Sequence, residues 1–313
     1  MNAIHPFLYA CPICGAPLQE VTPEDMHCPA DGVAYRRVDG IWRFFPPQIQ
    51  NGYAGFIADY EEIRRVEGRG SPDPAFYRAL PYQDLSGRFA ADWQIRAHSF
   101  TTLLHRVVGP LERRSKRPLR AADLGAGNGW LSYRLAQRGH WAAAVDLLAN
   151  AQDGLGAWVQ YDAEFIPIQA DFNHLPFQKD QLDLVIFNAS LHYSTRYETT
   201  LCEAWRLVAP GGALVILDSP IYRSAASGEQ MVREREEHFL RMAGFPSNAL
   251  PSENYLTYER LAALGETLAV RWQMAKPAYG LAWVLRPWKA RLRGQREPAQ
   301  FALVWALKPA GVA

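Results

Sequence analysis

The clearest pattern in the chain is an alternation of short apolar runs with segments whose apolar residues recur every three to four positions. The runs cover residues 119–124, 141–145, 165–169, 182–187 and 213–217. Each run has the length and composition of a buried parallel strand, and the segments between them predict helices. Strands that alternate with helices form a parallel sheet covered on both faces, so we predict a doubly wound α/β fold.

Further elements are predicted outside these five runs. Residues 89–108 have apolar side chains at helical spacing, and Gly109-Pro110 is expected to end that helix. Prolines and glycines interrupt residues 46–88, so one short helix near 56–66 is expected there. A further helix is predicted near 150–161, and two last strands are predicted at 268–274 and 301–307.

The first strand ends in a glycine-rich turn. The turn has the pattern Asp-x-Gly-x-Gly-x-Gly, formed by Asp123, Gly125, Gly127 and Gly129, and a helical pattern begins directly after it. Glycines allow positive φ angles and a close approach of ligand to backbone, while the helix N-terminus supplies free N–H donors. Strand, glycine turn and helix in this order predict a nucleotide-type binding unit at the carboxyl edge of the sheet.

The spacing of the glycines and acids narrows the choice of ligand. In the dinucleotide-binding fingerprint Gly-x-Gly-x-x-Gly the third glycine comes one position later, and here Asp123 also precedes the first glycine. A pyrophosphate is unfavourable beside that carboxylate, which argues against a nicotinamide dehydrogenase. Asp146 ends the next apolar run, 21 residues after Gly125, close to the interval expected of a ribose-binding acid. We therefore predict a ligand with a ribose, no pyrophosphate and a positive charge.

These motifs, taken in order, resemble those of the class I S-adenosylmethionine-dependent methyltransferases. Residues 123–129 resemble the first motif of that family, and Asp146 resembles its ribose acid. Residues 169–177 resemble the adenine-contacting segment, and 182–192 resemble the fourth strand with its active-site exit. The resemblance covers about residues 89–220 and extends through the helix, turn and strand at 203–217.

The resemblance implies a Rossmann-like, mostly parallel seven-stranded sheet that ends in an antiparallel hairpin, with S-adenosylmethionine as cofactor. It assigns the methionine amino group to Asp123, the ribose hydroxyls to Asp146 and the adenine amino group to Asp171. The full set of expected cofactor contacts is Asp123, Gly125, Ala126, Gly127, Asp146, Leu147, Asp171, Phe172, Asn188 and Ala189.

Methyl transfer from a sulfonium is an in-line displacement that releases a neutral sulfide, so no acid is required. The enzyme mainly aligns the reacting atoms, and a base is needed only when the acceptor carries a proton that must leave. His192 lies at the predicted exit of the fourth strand and has an ordinary pKa near neutrality. We therefore name His192 as the candidate general base, and the alternative is a packing histidine or one at the start of a helix.

The N-terminal residues contain a pattern typical of a zinc knuckle. Cys11 and Cys14 are separated by two residues, and Cys28 follows with Asp31 three positions later. The segment resembles short zinc ribbons with two Cys-Pro-x-Cys knuckles, except that Asp31 stands where the fourth cysteine would be. Carboxylate oxygen is an acceptable zinc ligand, so Cys11, Cys14, Cys28 and Asp31 form a candidate structural zinc site. The alternatives are His27 or water as fourth ligand, or a ribbon that binds no metal.

The predicted organisation has three parts. Residues 1–47 form a zinc-ribbon-like domain, and residues 48–88 form a connecting segment expected to fold over the cofactor. Residues 89–313 form the methyltransferase domain, with inserts near 221–256 and 276–299. The second insert is rich in basic and aromatic residues, and we expect it to cover the active site or bind an anionic partner.

Composition limits the partners. The 313 residues carry a net charge of +1, and no run of eighteen apolar residues occurs, so neither DNA nor a membrane is expected as partner. The four cysteines are too few for a disulfide scaffold, and no signal peptide is apparent, so a cytoplasmic location is expected. A small-molecule acceptor is the first hypothesis. The alternatives are an RNA acceptor of the ribosomal type, recognised through the ribbon and two basic clusters, and a binding module without catalysis.

Overall fold

The computed structural model describes residues 6–310. Its strands are β1 (Gln19–Thr22), β2 (Asp25–His27), β3 (Ala34–Val38), β4 (Ile41–Arg43), β5 (Arg120–Leu124), β6 (Trp141–Asp146), β7 (Ile166–Gln169), β8 (Leu182–Asn188), β9 (Val208–Leu217), β10 (Ile221–Tyr222), β11 (Leu256–Thr257), β12 (Gln273–Ala275) and β13 (Leu303–Leu307). Its α-helices are α1 (Pro47–Gln50), α2 (Ala54–Glu67), α3 (Pro74–Ala79), α4 (Ala90–Leu103), α5 (Gly109–Ser115), α6 (Trp130–Gln137), α7 (Tyr197–Leu207), α8 (Ala225–Ala243), α9 (Tyr258–Thr267), α10 (Leu281–Val284) and α11 (Arg286–Leu292). A π-helical turn spans Leu104–Val108, and 3-10 helices span Leu155–Gln160 and Leu191–Tyr193.

The predicted seven-stranded sheet is confirmed as the centre of the fold. Its strands lie in the order β7-β6-β5-β8-β9-β13-β12, of which the first five are parallel. β13 pairs antiparallel with β9 and with β12, so the hairpin expected at the end of the sheet is present. All seven residues of β8 are buried and five of them are apolar, which explains why the parallel strands are largely apolar runs.

The core consists of two apolar layers, one on each face of this sheet. On β5, Ala122 and Leu124 belong to one layer and Ala121 to the other. Successive side chains of a strand point to opposite faces, so each inner strand has apolar residues on both faces, apart from polar residues such as Asp123.

The N-terminal strands extend the central sheet. β1 to β4 form an antiparallel meander, and β4 then pairs in parallel with β7 through Trp42 opposite Ile168. Tyr35, Trp42 and Phe44 are buried in the same core layer as Phe177. These rings therefore pack into the core of the central sheet rather than into a separate core of the ribbon.

Two helix predictions differ from the structure. Gly109-Pro110 does not end the helical path, because Pro110 lies in the first turn of α5, where its missing N–H is not needed. The helix expected near 150–161 is only the 3-10 helix Leu155–Gln160. Before it, the side-chain oxygen of Asn150 accepts hydrogen bonds from the N–H groups of residues 152–154 and so holds a turn.

In the described part of the chain, none of the helices is both long enough and apolar enough to cross a bilayer.

Candidate functional site

The glycine turn between β5 and α6 requires glycine for two reasons, its backbone conformation and its close packing against neighbouring residues. Gly125, Gly127 and Gly129 have φ angles of +75°, +55° and +84°. A Cβ on Gly125 would lie 2.3 Å from Cβ of Ser190, and one on Gly129 would lie 2.8 Å from Cζ of Phe165. Side chains at these positions would therefore both strain the backbone and collide with the opposite wall.

Asp146 ends β6 and is held by the glycine turn. Its Oδ2 accepts a hydrogen bond from the N–H of Gly127 at 2.7 Å, and its Oδ1 accepts one from the N–H of Leu148 at 2.9 Å. Burial raises the pKa of Asp146, and the two N–H groups oppose that rise. A carboxylate has about four lone-pair sites, so further donors such as ribose hydroxyls can still be accepted.

Asp123 lies behind the turn and is 1% exposed. The hydroxyl of Ser132 donates to its Oδ2 at 3.3 Å, and within residues 6–310 its Oδ1 has no hydrogen-bond partner. Burial raises the pKa of Asp123 to about 7. A buried carboxylate oxygen without a partner fits a cationic donor, as an amino group of the ligand would supply.

Asp171 follows β7 and is already engaged on both oxygens. The hydroxyl of Tyr53 donates to Oδ1 at 2.8 Å, and Nδ1 of His174 lies 2.7 Å from Oδ2. The hydrogen bond to Asp171 raises the pKa of His174, which favours the charged imidazolium beside the carboxylate. The ring of the next residue, Phe172, packs edge-on against Phe187 at 5.5 Å and forms part of the cavity wall.

Hydrogen bonds join the residues that follow β8 to the neighbouring strands on both sides, β5 and β9. The hydroxyl of Ser190 donates to the carbonyl of Leu124 at the end of β5, and the N–H of Ala189 donates to the carbonyl of Leu217 at the end of β9. Ala189 has a φ of +54°, an uncommon backbone conformation for a residue with a side chain. The carbonyl oxygen of the buried Asn188 side chain has no protein partner among the described residues.

These groups surround one cavity of about 220 Å³ at the carboxyl edge of the sheet. Of the ten expected cofactor residues, those that line it are Gly125, Ala126, Gly127, Asp146, Leu147, Asp171, Phe172, Asn188 and Ala189. Asp123 does not line it, because it lies two positions before Gly125, within β5, and is buried there. The structure thus brings nine of the ten residues to one cavity and places the tenth directly behind it.

The cavity is covered by α2, from the segment expected to fold over the cofactor. Tyr53, Phe56, Tyr60 and Arg64 line its outer side, and Arg64 forms an ion pair with Asp153 in the loop after β6. The sequence predicted a covering segment at 48–88 but did not single out any of these residues.

A comparison of the sequence with known families matches residues 122–216 to the profile described as "Methyltransferase domain". The match runs from β5 to β9 and contains the glycine turn, Asp146, Asp171 and Asn188. Residues 122–216 form a methyltransferase domain. The sheet order and the cavity at its carboxyl edge are those of the Rossmann-like methyltransferase fold.

Three curated relatives are similar to parts of the chain. The malonyl-(acyl-carrier protein) O-methyltransferase of Geobacter sulfurreducens is 33% identical over 131 residues, which are 40% of this chain and 48% of that protein. The demethylmenaquinone methyltransferase of Thermus thermophilus is 30% identical over 157 residues, 46% of this chain and 64% of that protein. The tRNA 5-carboxymethoxyuridine methyltransferase of Escherichia coli is 29% identical over 105 residues, 32% of this chain and 40% of that protein. The chain therefore spans about half the length of these relatives.

Arg96, on α4, is a charged residue that the sequence did not single out. Its guanidinium lies 4.8 Å from the ring of Trp93, and both residues line the cavity. Burial lowers the pKa of Arg96, and the nearby Asp218 carboxylate opposes that change. Within residues 6–310, no carboxylate forms an ion pair or hydrogen bond with Arg96, so its donors remain free to bind an anionic group.

His192 lies in the cavity wall, with its ring 4.4 Å from that of Tyr193. Its Nδ1 is buried and, in the described part of the chain, accepts or donates no hydrogen bond. Burial, together with the charges of Arg235 and Arg96, lowers the pKa of His192 to about 3. The imidazole is therefore neutral at physiological pH and is a weak proton acceptor.

The four predicted zinc ligands lie together in the N-terminal ribbon. One possible ligand atom of each of Cys11, Cys14, Cys28 and Asp31 lies within 4.8 Å of the others, and His27 does not belong to this group. The two knuckles have the same backbone turn. The N–H of Gly15 donates to the backbone carbonyl of Cys11, and the N–H of Gly32 donates to the backbone carbonyl of Cys28. Asp31 therefore has the place in the second knuckle that Cys14 has in the first. Three sulfurs and one carboxylate oxygen at this spacing fit a tetrahedral zinc ion.

Proposed function

We propose that this protein is an enzyme that transfers a methyl group from S-adenosylmethionine to a small-molecule acceptor. The observation that carries the proposal is the position of Asp146, whose carboxylate accepts from the N–H groups of Gly127 and Leu148 at the covered cavity. The match of residues 122–216 to a methyltransferase domain supports the same activity.

Each part of the cofactor has a matching group in this proposal. Asp146 accepts from the ribose hydroxyls, Asp171 accepts from the adenine amino group, and Phe172 contacts the adenine ring. The unpartnered oxygen of Asp123 takes the amino group of the methionine part, directly or through water. When bound, S-adenosylmethionine supplies an electrophilic methyl group, and the role of the chain is to align it with the acceptor.

The cover over the cavity supports a small acceptor. α2 and the ion pair between Arg64 and Asp153 leave a partly covered cavity, also lined by Leu250, that suits a compact molecule better than a nucleic acid strand. Arg96 adds a preference for an acceptor with a negative charge, because its guanidinium has no acidic partner of its own.

An ionised acceptor also agrees with the environment of His192. A nucleophile that has already lost its proton needs no general base, and a histidine with a pKa of about 3 is poorly suited to remove one near neutral pH. His192 remains the candidate base only for acceptors whose proton is acidic. For an anionic acceptor, its neutral imidazole would act by hydrogen bonding.

RNA is the alternative acceptor, and the likeness to a tRNA methyltransferase of Escherichia coli favours keeping it. The two acceptor classes can be separated with S-adenosylmethionine that carries label in the methyl group. The purified protein would be incubated with dialysable metabolites in one reaction and with total RNA in another. We expect label in the metabolite fraction, with no transfer by the Asp146→Ala variant. Label in RNA alone would favour the alternative, and binding of cofactor without any transfer would favour the non-catalytic module.

We further propose that Cys11, Cys14, Cys28 and Asp31 hold a structural zinc ion. The site is four-coordinate without an open position, which is the arrangement of zinc ions that stabilise a fold. β3 and β4 follow the second knuckle and continue the ribbon into the central sheet. Zinc would therefore stabilise the edge of the sheet beside β7 without taking part in methyl transfer.

A further inference from the structure

A row of exposed apolar side chains runs along α10 and α11, within the basic insert. The exposed fractions are 82% for Leu281, 67% for Val284, 48% for Leu285, 67% for Trp288 and 85% for Leu292. We call these five residues the apolar stripe. Single exposed apolar residues are ordinary, whereas a contiguous set of large ones marks a contact surface.

The five side chains share one side of the two helices. A rotation of about 100° per residue places all five within an arc of about 100°. The N–H of Leu285 donates to the carbonyl of Leu281, and the N–H of Lys289 donates to Leu285. Helical hydrogen bonds therefore continue on both sides of the junction between α10 and α11, and the stripe is not interrupted there.

The opposite side of the same helices is packed on the domain. The ring of Trp283 lies 4.6 Å from that of Tyr279 and 5.7 Å from that of Phe301. The hydroxyl of Tyr279 in turn lies 2.7 Å from the hydroxyl of Ser99 on α4. The helices are thus anchored through Trp283, and this anchoring turns the apolar stripe away from the protein.

Basic side chains border the stripe on both sides. By the same rotation, Lys289 and Arg291 lie about 80° to either side of its centre. Residues 279–296 contain five basic residues and no acidic one, in a chain whose net charge is only +1. The local positive charge is therefore a property of this insert and not of the protein as a whole.

We propose that the apolar stripe docks α10 and α11 in the plane of an anionic lipid bilayer surface. Leucines and a tryptophan on one face, with lysine and arginine beside them, are the composition of helices that lie at the boundary between headgroups and acyl chains. Pairing of two copies through this face would bring two strongly basic inserts together, which like-charge repulsion opposes. The expectation that no membrane is a partner rested on the lack of a spanning segment, and a helix that lies on the surface needs none.

Vesicle flotation of the full chain tests the proposal. The probes are vesicles of phosphatidylcholine alone and of an equal mixture of phosphatidylcholine and phosphatidylglycerol. We expect the protein to float with the mixed vesicles, and Trp288→Glu and Leu292→Glu to bind them at least about tenfold more weakly. The double variant Lys289→Gln with Arg291→Gln should lose affinity and much of its dependence on salt. Val21→Glu is the matched control, since Val21 on β1 is 66% exposed and lies at the other end of the sheet.

Three results would overturn the proposal. The first is that folded wild-type protein does not float with mixed vesicles, and the second is equal binding to vesicles of phosphatidylcholine alone. The third is a dimer in size-exclusion chromatography that Leu292→Glu converts to monomer, since a second copy would then cover the stripe. Circular dichroism and the melting temperature of each variant exclude unfolding as the cause of a loss. Because no variant touches the cavity, cofactor binding should be the same in all of them.

Discussion

The hydroxyl of Tyr53 donates a hydrogen bond to Oδ1 of Asp171 over 2.8 Å and so joins the covering segment to the end of β7. These residues are far apart in the sequence, and the bond is the link between the cover and the carboxylate that we assign to the adenine. The cover and the cofactor site should therefore respond together to changes at Tyr53.

Tyr53→Phe should weaken the binding of S-adenosylhomocysteine about three- to tenfold, mainly through faster dissociation. A hydrogen bond to a charged group contributes about 1.5–3 kcal/mol, and the part of it that reaches the ligand, about 0.7–1.4 kcal/mol, gives the three- to tenfold change. Its loss loosens the cover without creating a cavity. Stopped-flow displacement of bound ligand measures the effect. Tyr82→Phe is the control, because Tyr82 belongs to the same segment, is exposed and does not line the cavity. Equal dissociation rates for the two variants would contradict the link.

Gly125→Ala should destabilise the protein more than Gly139→Ala. Both glycines have positive φ angles, +75° and +83°, so either alanine carries a backbone cost of about 1–2 kcal/mol. Only at Gly125 does the new Cβ meet other atoms, 2.3 Å from Ser190, whereas Gly139 has open space around it. Overpacking should add about 1–3 kcal/mol to the loss in unfolding free energy, and cofactor binding should be lost. Urea unfolding of both variants measures the difference, and equal losses would refute the steric account.

Asp123 should make the ligand-free protein less stable as the pH rises. Its folded pKa of about 7 lies above its ordinary value of 3.8, so between these pH values the folded state holds a proton that the unfolded chain has lost. The contribution of Asp123 to the free energy of unfolding should therefore fall between pH 5 and pH 7, by at most about 1.4 kcal/mol per pH unit. His192, whose folded pKa of about 3 lies below its ordinary value of 6.5, opposes part of this fall up to pH 6.5.

Asp123→Asn should flatten this dependence, as measured by urea unfolding at both pH values. Burial raises the pKa of Asp218 to about 6, so Asp218 also lowers the free energy of unfolding as the pH rises. Asp218→Asn is the comparison variant, because it should keep the pH dependence that is due to Asp123. A full pH dependence in Asp123→Asn would exclude Asp123 as its source.

The purified protein should contain one zinc ion per chain, and its removal by a chelator should lower the melting temperature. Cys11→Ser and Asp31→Asn should reduce the zinc content, measured by plasma mass spectrometry, because each removes a proposed ligand. His27→Ala is the control, since His27 does not belong to the four-residue group. Loss of zinc in His27→Ala with retention in Asp31→Asn would instead assign the fourth ligand to His27.

The sheet and the glycine turn were predictable because their causes are local. A strand buried on both faces is largely apolar, as in residues 184–187 of β8, and the turn that places Gly125 against Ser190 must lack a Cβ there. The position of Asp146 was predictable because the interval between the glycine turn and the end of β6 has the usual length for such a unit.

Other features depend on contacts between distant segments and left no local pattern. The pairing of β4 with β7 brings Trp42 to Ile168, and no residue near either strand signals it. Arg96 is one arginine among many in the sequence, and only the folded structure shows that it faces a cavity without an acidic partner. The helical path continues through Gly109-Pro110, with a π-helical turn directly before α5. Glycine and proline usually end a helix, so the sequence did not predict this continuation.

Calorimetric titration of the purified full chain with S-adenosylmethionine and S-adenosylhomocysteine tests the central claim most directly. The account predicts micromolar binding of both ligands, weakened at least about tenfold in Asp146→Ala, because that variant removes the carboxylate we assign to the ribose. Asp25→Ala, which changes an acid on β2 outside the cavity, should bind like the wild type. The absence of binding to either ligand by folded wild-type protein would contradict the account.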